Sequence, residues 1–160
     1  MCKTRLLDLI VHALEADFAS AVRAAQTAHE TATHEENVAE NKYDTLGLEA
    51  AYLAAGQSRR VEELRQALIA YRTLVPRPFD AEQGIQLGTW VVLGDDDGGE
   101  QQFFLGPDGA GLKVTLEEDE VRVITPRAPL GQALLGKDEG DEVTLGTAGQ
   151  ARRLTVLRCR

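Results

Sequence analysis

The residues best suited to chemistry lie between Thr33 and Gln57, in the stretch THEENVAENKYDTLGLEAAYLAAGQ. It carries Glu35, Glu36, Glu40, Asp44 and Glu49, with Lys42 as its only lysine or arginine. Carboxylates gathered in one place are the candidate chemistry, and the flanking sequence decides where they sit. A second pattern, His29-Glu30-Thr31-Ala32-Thr33-His34, resembles a zinc-binding HExxH but has one residue too many. On a helix, histidines at i and i+5 diverge by more than a quarter-turn, whereas zinc needs them at i and i+4. These are read as solvated helix histidines.

Two helical patterns flank the acidic stretch. Thr4 to about Ala32 has neither Pro nor Gly and is rich in Ala, Leu and Glu. Leu7, Val11, Leu14, Phe18, Ala21, Ala25, Ala28 and Ala32 follow steps of four and three, a heptad seam. About Leu46 to Leu74 is the second helix, with Val61, Leu64, Leu68, Tyr71 and Val75 on its seam and Ala54, Ala50 and Gly47 continuing it backwards. Both seams are bulky at the far ends and small near the middle. An antiparallel pairing sets Leu14 opposite Leu64 and Phe18 opposite Val61, which places the turn near Ala39 to Asn41. Arms of roughly 35 residues reach about 50 Å, far more than a small core needs. Asp44 or Thr45 also suits the N-cap of the second helix, because a side-chain oxygen there accepts from free backbone N–H groups.

Pro76-Arg77-Pro78 ends the helical region. Residues 1–75 are therefore read as a helical hairpin with its acidic tip near 35–49, residues 76–80 as a linker and 81–160 as a second domain. In that domain TWVVL, EQQFFL, LKVTL, EVRVI, DEVTL and RRLTVLRC alternate as strands, and PLGQALLG from Pro129 reads as a short helix. Asp95 to Asp97 with Gly98-Gly99 is a solvated hairpin turn. The fold class is α+β: a helical hairpin followed by a small antiparallel sheet with one helix on a face.

The composition excludes several functions. A net charge of −9 argues against general affinity for nucleic acid, which needs a basic surface. Aromatic residues at 5% provide no platform for stacking bases. No apolar run approaches the ~20 residues of a membrane span, and the opening MCKTRLLDLIVHALEADF reads as an amphipathic helix rather than a leader. Cys2 and Cys159, at opposite ends, read as free thiols in a reducing cytoplasm. Arg59, Arg60, Arg65 and Arg72 line the second helix, either as a solvated face paired with Glu62 and Glu63 or as contacts to an acidic partner or RNA end.

The stretch VRVITPRAPLGQALLGKDEGDEVTL, Val121 to Leu145, resembles the C-terminal domain of the GreA/GreB family of bacterial transcript cleavage factors. Thr125-Pro126, Pro129-Leu130-Gly131, Ala133-Leu134-Leu135-Gly136-Lys137 and Gly140-Asp141-Glu142-Val143 carry the match. The architecture, a coiled-coil hairpin before an FKBP-like β domain, extends the resemblance to the whole chain. The resemblance implies a cytoplasmic elongation factor that binds RNA polymerase and meets the nascent RNA 3′ end only indirectly, and the short turn and matched register of the two seams favour pairing within one chain, a monomer. The hairpin would enter the secondary channel. Tip carboxylates would help hold Mg²⁺ in the polymerase's own active site, with none bound by the factor alone, and backtracked RNA would then be cleaved. Carboxylates are hard oxygen ligands suited to that ion. Pro126, Pro129, Leu130, Gly131, Ala133 and Leu134 are the implied polymerase-binding residues.

The family's tip motif is Asp-x-x-Glu-Asn followed shortly by Tyr. Its nearest match is Asn37-Val38-Ala39-Glu40-Asn41, with Tyr43 one residue early and Asn37 in place of the first acid. Counting back from Val61 without gaps instead puts Glu40 at the first acid and Tyr43 at the second, beside Asp44. A third alignment pairs Asp44 with Glu49. Glu40 and Asp44 are the favoured pair, because four-residue spacing shares one helical face; Glu36, Asn41, Tyr43 and Glu49 are further tip candidates. The factor would be accessory to the polymerase and no enzyme itself. The alternative is a non-cleaving channel regulator, which Asn37 favours. A prolyl isomerase, suggested by the fold alone, is disfavoured because Phe79, Trp90, Phe103 and Phe104 are the few aromatics from the linker onward.

Overall fold

The structure, a computed structural model, describes residues 2–33, 45–147 and 149–160. Helix α1 spans Lys3–Thr33 and helix α2 spans Thr45–Thr73, 31 and 29 residues. At 1.5 Å per residue these are about 45 Å long. Six strands and a short helix follow: β1 Trp90–Asp95, β2 Glu100–Leu105, β3 Lys113–Leu116, β4 Asp119–Ile124, α3 Pro129–Leu134, β5 Glu142–Leu145 and β6 Arg152–Cys159. The described chain forms two compact units, His12–Ile69 and the combination of Met1–Val11 with Ala70–Arg160.

In the first of these units the seam read from the heptad steps is the covered face. Leu14, Ala21 and Ala28 are buried on α1, and Phe18, Ala25 and Ala32 are half-buried. On α2, Leu64 and Leu68 are buried and Val61 and Ala54 half-buried. Ala67, outside the expected seam, is buried too. Residues on the opposite faces, among them Arg23, Glu63 and Gln66, are exposed. This division follows from a period near 3.6 with apolar side chains on one stripe.

The second unit is built on one sheet of order β3-β4-β2-β1-β6-β5. The expected all-antiparallel arrangement needs one correction: β2 and β4 run parallel, with Phe104 beside Val123 and Leu105 beside Ile124. The chain leaves β2, passes through Gly106–Leu112, and forms the tight hairpin β3–β4 across Glu117, whose φ is 60°. That hairpin docks through β4, so the returning strand points the same way as β2. The other pairs are antiparallel.

Both faces of the sheet are covered. On one, Val91, Leu93, Phe103, Leu105, Ile124 and Val156 form a core with Ile85 and with Leu134 of α3. On the other, Trp90, Phe104, Val121 and Val123 are buried, and Tyr71 near the end of α2 packs on Phe104 with ring centroids 6.4 Å apart. Leu6 and Ile10 of α1, in the same unit, are fully buried. A strand alternates its side chains, so Phe103 and Phe104 serve different layers and do not converge on one aromatic pocket.

Val75 corrects a second expectation. It continues the heptad count, yet it is 65% exposed. Helix α2 stops at Thr73, and past the last helical residue the heptad no longer specifies a direction. The acidic turn after β1 forms as read: the Asp95 carboxylate accepts from the backbone N–H groups of Asp97 at 2.9 Å and Gly99 at 2.8 Å.

Candidate functional site

Of the tip candidates, Glu36, Glu40, Asn41, Tyr43 and Asp44 lie outside the described residues, as do Asn37 and His34. Glu49, on the first turns of α2, is exposed. Downstream of it Tyr52 and Leu53 stand out from the helix at 74% and 58% exposure. Among the described residues no three His, Cys, Asp or Glu side chains are grouped to hold a metal ion. The carboxylates of 35–49 are hard oxygen donors by type. Glu49 is the only one of them in the described part.

Two of the four arginines along α2, Arg60 and Arg65, pair within their own helix. Arg65 donates to both oxygens of Glu62, at 2.9 and 2.6 Å, and Gln66 adds a third hydrogen bond to that carboxylate. These donors hold Glu62 down at about 2, well below the usual carboxylate range. The pair is solvent-exposed, so it sets local side-chain order more than stability. Arg60 lies 3.6 Å from Glu63. Intrahelical pairing, one of the two readings offered by the spacing, accounts for Arg60 and Arg65.

The second candidate surface follows β4. Thr125 is buried, and its carbonyl accepts from the N–H of Ala128 at 3.1 Å, which turns the chain into α3. Pro129 occupies the first turn of the helix, where its missing N–H costs nothing. Gly131 is buried, and a Cβ on it would lie 2.0 Å from the Thr125 carbonyl oxygen; only glycine permits that approach. Leu134 is 0% exposed in the core. Leu130 and Ala133 pack partly against that core, and Pro126 is half-buried. Six residues singled out together therefore divide. Gly131 and Leu134 are of their type because the interior requires it, while Pro129 faces solvent.

Arg127, Gln132 and Leu135 are exposed alongside Pro129. Within α3 the helical count places Gln132 outward, since it follows buried Gly131 by one residue. The cysteines behave as read, both free, with Cys2 exposed and Cys159 buried. Burial, and then the charges of Glu139, Asp138 and Asp141, push the Cys159 thiol up to about 12. The backbone N–H of Cys159 donates to Glu139 at 2.9 Å.

Comparison with known proteins turns on this half of the chain. Residues 80–160 match the family model described as "Transcription elongation factor, GreA/GreB, C-term". The transcription elongation factor GreA of Alkalilimnicola ehrlichii is 28% identical over 103 residues, 63% of this chain and 61% of that protein. GreA of Paracoccus denitrificans is 29% identical over 126 residues, 74% of this chain and 75% of that protein. The matched region thus spans about three-fifths of the first of these relatives and three-quarters of the second. Among solved structures, GreA factor homolog 1 of Thermus thermophilus aligns over 94% of both chains at 22% identity, with a TM-score of 0.38. The family model covers α3, the whole sheet and the loop that carries Pro126 to Pro129, and on that match the chain belongs to the GreA/GreB family of transcription elongation factors.

Proposed function

We propose that this chain is an accessory elongation factor that acts on RNA polymerase in the cytoplasm, as a monomer. The β domain docks on the polymerase through the exposed residues around Pro129. The helices α1 and α2 carry the acidic segment between them into the secondary channel. There the chain's own contribution is carboxylates, Glu40 and Asp44 first, which orient around the ion of the polymerase site and favour cleavage of backtracked RNA. Mg²⁺ supplies the charge neutralisation when the complex is formed. The observation that carries this reading is the joining, in one chain, of a GreA/GreB C-terminal domain to two helices of 31 and 29 residues that flank an acid-rich segment.

A second reading rests on Asn37. It stands where the family's tip motif has its first acid, and a carboxamide is a weaker ligand for a hard cation than a carboxylate. The same docking with a deficient tip would tune or block the polymerase without cleaving RNA.

Both readings are tested with a stalled, backtracked RNA polymerase complex. Wild-type chain is expected to accelerate shortening of the RNA, and Glu40→Gln/Asp44→Asn is expected to bind without doing so. Binding of the wild type with no shortening of RNA would exclude the cleavage role in favour of the regulator; Asn37→Asp would then be expected to restore it.

A further inference from the structure

One concave feature of the β-domain unit is used by none of the roles above. A cleft of about 590 Å³ lies between Lys3, the residues that follow α2, and the loop before β1. Its apolar lining includes Val75 and Leu87, which are 65% and 47% exposed. Large apolar side chains left open in a concavity of this size mark a binding surface rather than a scattered exposure.

The charges in the cleft are unbalanced. Lys3 and Arg77 both line it, and the Lys3 ammonium donates to the backbone carbonyl of Arg77. Among the described residues neither cation has a carboxylate partner. The one acid in the lining, Asp80, turns its Oδ1 to the backbone N–H of Glu82 at 2.9 Å. A positive cleft is notable on a chain whose net charge is −9. Burial holds the Lys3 ammonium below its ordinary value, as expected for a cation that has lost water and gained no counter-charge. Bringing a carboxylate beside it would offset that loss.

We propose that this cleft is the docking site of an acidic polypeptide segment of a partner protein, one in which a carboxylate lies next to a bulky apolar side chain. The carboxylate pairs with Lys3 and Arg77, and the apolar side chain covers Val75 and Leu87. Charge complementarity selects the acidic partner, and the two exposed apolar side chains select against a simple anion. The heptad seam that runs on to Val75 in sequence but not in structure thus has a use outside the helix.

The test uses the full chain and two fluorescein-labelled decapeptides, one alternating Glu with Leu and one alternating Lys with Leu, read by fluorescence anisotropy. The Glu–Leu peptide is expected to bind, and Lys3→Glu and Val75→Asp are each expected to weaken it by about tenfold or more, the loss of one charge-assisted contact or one apolar contact. Sodium acetate at matching carboxylate concentration is expected not to compete. Val75 is largely exposed, so its variant keeps the fold, which circular dichroism checks. Equal binding of the two peptides, no binding of the Glu–Leu peptide, indifference to both substitutions, or displacement by acetate would each overturn the proposal. RNA polymerase is absent from this assay, so its outcome is separate from that of the transcript-cleavage experiment.

Discussion

The hydroxyl of Tyr71 donates to the backbone carbonyl of Asp108 at 2.7 Å, joining the end of α2 to the loop after β2. The ring beneath it rests on Phe104. Gly106 leaves the room for this contact, since a Cβ there would lie 2.0 Å from the Tyr71 hydroxyl oxygen. One side chain thus closes the second face of the sheet by packing and by a hydrogen bond.

Tyr71→Phe keeps the ring and removes the donor, leaving a half-buried carbonyl without it. A loss of about 1–2 kcal/mol is expected in urea unfolding. Gly106→Ala is expected to cost about 1–3 kcal/mol by forcing the hydroxyl aside. Because both act on one contact, the double variant should lose less than the sum of the two. A strictly additive result would mean that Gly106→Ala does not act through the Tyr71 hydroxyl.

The same tyrosine sets a pH dependence. Burial, and then the charge of Asp108, raise the Tyr71 hydroxyl well above its ordinary value of 10.0. The unfolded chain therefore releases this proton at a pH where the folded chain keeps it. Stability is fully present below about pH 10 and falls as the pH rises beyond it. In Tyr71→Phe that part of the decline should disappear. Thermal melts of both proteins between pH 8 and 11 check it, and parallel curves would refute the assignment.

The two thiols should react at very different rates. Cys2 is exposed, and hydrogen bonds from the Thr4 side chain and backbone lower its pKa. Cys159 is buried and held up at about 12. A thiolate is the reactive form. With an aromatic disulfide reagent at pH 8, native protein should release one equivalent quickly and the second only in denaturant. Cys2→Ser should abolish the fast phase.

Around α3, stability and docking should separate by residue. Leu134→Ala is expected to cost about 2–5 kcal/mol, because it empties a fully buried position. Gly131→Ala is also expected to destabilise, because its Cβ meets the Thr125 carbonyl. Arg127→Glu, at an exposed site, should change stability by no more than about 0.5 kcal/mol. If the exposed face docks as proposed, this last variant should still weaken polymerase binding. Denaturant midpoints and a polymerase pull-down together distinguish the two effects.

Much of the fold is local physics and so was legible in the chain itself. Heptad spacing from Leu7 to Ala32 marked the covered face of α1, because a period near 3.6 places those side chains on one stripe. Pro76 and Pro78 marked the end of the helical region by lacking N–H groups. Asp95 and Gly98-Gly99 marked a turn, and the alternation in EQQFFL placed Phe103 and Phe104 on opposite faces. The motif from Thr125 to Val143 was enough to indicate the family. The acidic set at 35–49 was read from side-chain type alone, and Glu40 and Asp44 belong to the part outside the described residues.

What tertiary structure decided depends on contacts between residues distant in sequence. Strand periodicity is the same for parallel and antiparallel neighbours, so only docking of the β3–β4 hairpin fixed β4 parallel to β2. A heptad count does not say whether its last members meet another helix or a sheet. Tyr71 packs on Phe104, 33 residues later by number, and Val75 is left to solvent. A motif does not separate its packing residues from its surface: Gly131 and Leu134 turn inward while Pro129 faces out, because a helix one and a half turns long can bury only one side against Thr125 and the sheet.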